Sequence, residues 1–147
     1  MRHVLDASEL IPLIVGRGKR LVAEASNQGI FTTDLAIYET CNALWKLPAL
    51  LKSISFEDAE DIAKLLRDLA ASDILELLDY RGLDVARTLN TANTEHITFY
   101  DASYIVIADA VGATLVTEDK KLRQAANKYV RTTTYADFEK MLSESHA

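Results

Sequence analysis

A second cysteine is missing from this chain, so Cys41 has no partner for an internal disulfide. In YETCNALW the thiol is expected to be a small buried group without chemistry of its own. Long apolar runs are missing too: none approaches the roughly eighteen residues that a membrane span needs, so a membrane protein is not expected. The opening MRHVLDASEL meets its first acid at Asp6 and has no long apolar stretch after a basic start. It is not expected to act as a secretion signal, and the cytoplasm is the expected compartment. Positive charge is in short supply, with 16 Lys and Arg against 22 Asp and Glu. The resulting net charge of -6 argues against broad non-specific nucleic-acid binding, which depends on cations neutralising phosphates. Arg17, Lys19, Lys46, Lys120 and Lys121 are scattered and form no basic strip interleaved with aromatics. His3, His96 and His146 lie apart, and no Ser-His-Asp, Cys-His or zinc-ligand spacing is present. His3 is most simply a core residue of a strand, and His96 belongs to a loop. Repeats, linkers and low-complexity segments are likewise absent, so the 147 residues are expected to form one domain over 1–147 with one principal site.

What is present reads as an ordinary globular chain, 49% apolar and 26% charged. HVLD is a short apolar run that ends in an acid, as a buried strand finishing at Asp6 would. SELIPLIVGRGKRLVAEASNQG predicts two short helices, broken at Gly16 and Gly18 and stopped at Gly29. IFTT predicts a second strand. LAIYETCNALWKL has Leu35, Ile37, Tyr38, Cys41, Leu44 and Trp45 at helical spacing, with Thr33 or Asp34 as cap and Pro48 near its end. FEDAEDIAKLLRDLAAS is a strongly amphipathic helix opened by Ser55. SDILELLDY predicts a strand, GLDVARTLNTANTE a helix, and HITFYDASYIVIADAVG a loop followed by a helix apolar nearly all round. ATLVTED is a strand and cap, KKLRQAANK a helix, VRTTTY a strand and YADFEKMLSES a terminal helix. Strands that alternate with helices imply parallel pairing under helices on both faces, a three-layer α/β domain.

In such sheets the functional crevice lies beyond the carboxyl ends of the strands. Asp6 ends the first strand and Asp119 follows ATLVTE, so neighbouring strands would bring both acids to that crevice. Asp101 lies in the first turn of the helix preceding the Asp119 strand, and that helix also starts at the carboxyl edge. Glu39 occupies the first turns of another helix beginning there. At about 3.6 residues per turn, Asn42 and Lys46 share the Glu39 face, while Tyr38, Cys41 and Trp45 lie on another. Each acid has a plainer role available: Asp6 and Asp119 as helix caps, Asp101 answering Thr98 in a capping box, Glu39 as a solvated helix residue. Those roles do not explain why all four fall at one edge. Converging carboxylates would raise one another's pKa unless a cation held them, and oxygen-only ligands suit Mg²⁺ or Mn²⁺ better than zinc.

VLDAS with Asp6, YETCNALW with Glu39, FYDASYIVIA with Asp101 and LVTED with Asp119 together resemble the PIN-domain ribonucleases, most closely the VapC-type toxins of prokaryotic toxin-antitoxin pairs. The likeness runs over nearly the whole chain. It implies a three-layer α/β/α domain with a parallel sheet of about five strands, commonly a homodimer. It also implies Mg²⁺- or Mn²⁺-dependent endoribonuclease activity with Asp6, Glu39, Asp101 and Asp119 as catalytic and metal-binding acids. Ser8 and Thr117 match polar positions that accompany the first and last acids, and Asn42 matches a residue at the site's edge; these would orient water or phosphate. RNA is the implied substrate, and a cognate antitoxin the implied partner, able to place a basic side chain among the acids. The alternatives are a non-catalytic PIN-like binding or dimerisation module, or a phosphoryl-transfer domain using Asp6. Against the latter, Ala7 and Ser8 follow Asp6 where a second aspartate would be needed, and LVTEDK offers no well-placed lysine.

Overall fold

Five parallel strands form the central sheet of the computed structural model, which describes residues 1–25 and 28–144. They are β1 (Arg2–Leu5), β2 (Gly29–Thr33), β3 (Glu76–Leu78), β4 (Thr114–Val116) and β5 (Thr132–Thr133), in the order β3-β2-β1-β4-β5. Val4 sits opposite Phe31 on one side and Leu115 on the other. A parallel strand covered on both faces must be apolar on both, and Val4, Leu5, Leu115 and Val116 are fully buried.

The helices are α1 (Ala7–Arg17), α2 (Leu21–Glu24), α3 (Asp34–Lys46), α4 (Phe56–Ala71), α5 (Val85–Glu95), α6 (Phe99–Val111), α7 (Lys120–Ala126) and α8 (Tyr135–Glu144). Right-handed crossovers in this strand order put α1 to α4 on one face and α5 to α7 on the other. Phe138 of α8 packs on His3 with ring centroids 5.0 Å apart, which makes His3 the core residue its strand position suggests. Of the two candidate caps for α3, Thr33 is the one used: its hydroxyl accepts from the Ala36 N–H at 3.0 Å. Ser55 caps α4 as expected. The mostly apolar α6 packs against β1, β4 and α5, and its residues from Ala102 to Ala108 are buried without interruption. No helix among the described residues is long and apolar enough to cross a membrane.

Three local expectations need correction. The first helical break falls at Gly18, whose φ of +53° a side chain would strain, whereas Gly16 lies inside α1. Gly29 does not stop a helix; α2 ends at Glu24, and Gly29 opens β2, where a Cβ would stand 2.8 Å from the Phe31 ring. Residues 26 and 27 of that expected helix, and His146, lie outside the described residues. On α3 the inward stripe is Ala36, Thr40 and Leu44, packed towards α1 and α4. Tyr38, Cys41 and Trp45 are exposed, so the thiol is not the buried group expected. Both stripes recur at helical spacing, and the orientation of α3 against α1 chose the one with smaller side chains.

Candidate active site

The direction of strand addition reverses between β1 and β4, the point at which open parallel sheets form a crevice. The chain leaves both strands there and is tied across the gap. Asp6 caps α1: its Oδ1 accepts from the Ser8 N–H at 3.1 Å and from the Ser8 hydroxyl at 2.7 Å. Its Oδ2 accepts from the Thr117 hydroxyl at 2.6 Å. The fully buried Thr117 oxygen accepts in turn from the Asp119 N–H at 3.1 Å. Asp119 caps α7, with both cap bonds on Oδ1: 2.9 Å from the Lys121 N–H and 3.1 Å from the Leu122 N–H. The capping roles legible for Asp6 and Asp119 are therefore real, and they fix where these carboxylates point.

Asp101 enters from the first turn of α6, where its N–H donates to the Thr98 hydroxyl at 3.0 Å. Glu39 enters from α3 and, like Asp119, is exposed, whereas Asp101 is half-buried and Asp6 buried. The acids feel one another. Burial raises the Asp6 carboxyl, with Asp119 adding to the effect and Thr117 and Ser8 opposing it. Burial, then Asp119 and Asp6, raise Asp101, against Thr98 and Lys121. Burial, then Asp101 and Asp6, raise Glu39. Each cause is the cost of holding negative charge where water is partly excluded and like charge is near. The fold thus brings Asp6, Glu39, Asp101 and Asp119 into one field, with Ser8 and Thr117 in direct hydrogen bonds to Asp6. Asn42 is not joined to them: it is exposed on α3, and its amide oxygen accepts from the Trp45 indole N–H at 2.9 Å.

Three nearby residues escaped the sequence reading. Glu9, one turn after Asp6, is 1% exposed, and one carboxylate oxygen has no hydrogen-bond partner. Burial first, then Asp6 and Glu118, push its carboxyl up to about 7. Its signal was an acid at i+3 from Asp6 on the inward side of α1. Tyr104 of α6 is buried, and burial with the charges of Glu39 and Asp6 raises its phenol. Arg123 donates to the Thr117 carbonyl at 2.6 Å and braces the turn carrying Asp119. Of the scattered cations, Arg17 is not free for a ligand; it is buried and pairs with Glu24 at 3.4 Å and Glu139 at 3.5 Å. Lys121 is the cation whose charge reaches Asp101.

The donor set is oxygen only, which fits a hard divalent cation and not a thiolate or imidazole site. Among the described residues, no three His, Cys, Asp or Glu side chains are drawn tightly enough to ligate one ion directly.

Acids that follow β1 and β4, joined by acids from α3 and α6 and gathered over a five-stranded parallel sheet, define a class, and the chain belongs to it: residues 3–128 match the family model of the PIN domain. Ribonuclease VapC3 of Pyrobaculum aerophilum is 33% identical over 138 residues, spanning 84% of this chain and 94% of that protein. Exonuclease VapC9 of the same organism is 32% identical over 122 residues, spanning 83% and 84%. Among solved structures, PAE2754 from P. aerophilum is similar with a TM-score of 0.74 and 26% identity, covering 98% of this chain and 90% of that one. VapBC-1 from nontypeable Haemophilus influenzae shares the fold at a TM-score of 0.61 and 18% identity, over 92% and 99%.

Proposed function

We propose that this chain is a divalent-metal-dependent endoribonuclease of the VapC type, its domain spanning residues 1–147. The observation that carries the proposal is the gathering of Asp6, Glu39, Asp101 and Asp119 at the switch point of the sheet, where burial first and then neighbouring carboxylates raise Asp6, Glu39 and Asp101, a placement that is unfavourable until a cation offsets it. Membership of the PIN domain family and the ribonuclease relative support RNA as the substrate. Mg²⁺ or Mn²⁺ bound there would supply an acidified water, a grip on the scissile phosphate and charge compensation at the leaving oxygen.

Asp6 and Asp101 would bind the cation directly. Asp119 and Glu39 would reach it through water, in keeping with the spread of the acids and with the readiness of Mg²⁺ to keep its hydration shell. Glu39, exposed and raised by burial and by Asp101 and Asp6, or another of these acids, would accept a proton from the attacking water. Thr117 and Ser8 hold Asp6 in its orientation, and Lys121 offers a cation to an approaching phosphate. By the VapC likeness the chain works in the cytoplasm as a homodimeric toxin restrained by an antitoxin.

The test is incubation of the purified protein with a labelled, circular single-stranded RNA and with a linear pool, in Mn²⁺, Mg²⁺ or EDTA, beside Asp101→Asn. Metal-dependent opening of the circle, lost in a variant that stays folded, is expected. Cleavage that persists in Asp101→Asn or in EDTA would sink the proposal.

A further inference from the structure

We infer that a cleft beside the acids receives an unpaired nucleobase of the RNA strand being cut, an inference that rests on the ribonuclease reading of those acids. The cleft has a volume of about 300 Å³ and lies beyond the carboxyl ends of β2 and β3, between the opening turns of α3 and α6. Its walls are aromatic: Tyr38 from α3, Tyr80 from the turn after β3, and Phe99 and Tyr100 from α6. Tyr38 is 77% exposed, Tyr80 66% and Tyr100 56%, so ring surface stands open that the protein's own core does not cover. A small concavity with several aromatic faces and few polar groups is the ordinary form of a site for a flat ligand.

Its position identifies that ligand. Tyr38 immediately precedes Glu39 and Tyr100 immediately precedes Asp101, so each ring is rooted about 3.8 Å along the backbone from a site acid. On both helices the ring and the acid lie about 100° apart around the axis, so the acids face the β1/β4 switch while the rings face the β2/β3 side. A strand whose phosphate is held at the acids would lay a neighbouring base over the rings. Charge excludes the converse arrangement. No Lys or Arg lines the cleft; Asp34 does, and Asp79 lines it with its charge paired to Arg81 at 2.8 Å, so the cleft offers a phosphate no cation of its own while an uncharged π-face is accepted. Stacking of unpaired bases on aromatic side chains also gives a chain of net charge -6 a grip on RNA that does not depend on neutralising many phosphates.

Tyr80 is the side chain to change, because its short turn contributes no acid to the site. The wild type, Tyr80→Leu, Tyr38→Leu and Tyr80→Phe are compared on a short single-stranded oligoribonucleotide in Mn²⁺, with KM and kcat separated. Each leucine variant is expected to raise KM by between about 5-fold and about 150-fold, the span for loss of one base-aromatic stack, with kcat at saturating RNA nearly unchanged. Tyr80→Phe keeps the ring and should keep the wild-type KM. Two leucine variants that fold and retain the wild-type KM overturn the inference. If they instead change the sedimenting mass at assay concentration while KM stays put, the cleft is a contact between copies of the chain, which overturns it equally. Failure of the ribonuclease reading is distinct: the wild type itself then leaves the oligonucleotide intact in every metal, and the cleft loses its ligand with it.

Discussion

Replacing Glu9 by Gln should stabilise the metal-free protein, and only above a definite pH. Glu9 is 1% exposed and lies near Asp6 and Glu118, which together with burial carry its carboxyl from 4.5 to about 7. The folded state therefore holds the proton more tightly than the unfolded chain does. Stability on this account is full below pH 4.5, falls as the pH rises towards 7, and stays at its lower level above that. At about 1.36 kcal/mol for each tenfold change in proton affinity, the whole displacement corresponds to roughly 3 kcal/mol. Glutamine keeps an acceptor for the Glu118 N–H and removes the charge, so it should recover most of that above pH 7 and none below 4.5. At about 2–4 °C per kcal/mol for a chain of this size, the gain is a melting point raised by several degrees at pH 8. The assay is thermal melting of the wild type and Glu9→Gln in EDTA from pH 4 to 8.5. A difference that is flat with pH, or that is larger at pH 4 than at pH 8, would refute the reasoning.

Three other outcomes follow from the same geometry. Adding millimolar Mg²⁺ or Mn²⁺ should raise the melting point of the wild type and much less that of Asp6→Asn, because a cation that binds only the folded chain stabilises it by mass action; equal responses would count against a cation among these acids. Thr117→Val removes the 2.6 Å bond to Asp6 Oδ2 and the acceptor for the Asp119 N–H, which should cost about 1–3 kcal/mol in stability. That bond favours the charged form of Asp6, so the acid limb of the cleavage profile should also move to higher pH, as a pH series of initial rates would show. Arg17→Met leaves Glu24 buried without its partner and should destabilise the fold by about 3–5 kcal/mol in urea denaturation; a loss below 1 kcal/mol would mean that Arg17 is not the structural cation described here.

Much of the architecture was legible because local rules and global fold agree. Asp6 and Asp119 at strand ends, Ser55 before an amphipathic run, and a mostly apolar stretch from Ala102 to Ala108 each have one simple structural solution, and each was adopted. Agreement failed where two solutions were locally equal. On α3 the stripe Tyr38, Cys41, Trp45 and the stripe Ala36, Thr40, Leu44 both repeat at helical spacing, and only packing on α1 selects between them. The burial of Arg17 was not legible, because its contact with Glu139 joins residues 122 positions apart.

The site divides in the same way. Sequence alone determined that four acids, each at the start or end of an element, would fall on one edge of a parallel sheet, because helix and strand directions alternate and fix which end each acid occupies. Only the tertiary structure decided that Thr117 bonds Asp6 across 111 residues, that Glu9 is sealed beside them, and that Tyr38, Tyr80 and Tyr100 share a cleft. Those are distances between remote segments, set by strand order and side-chain packing, and no periodicity along the chain encodes them.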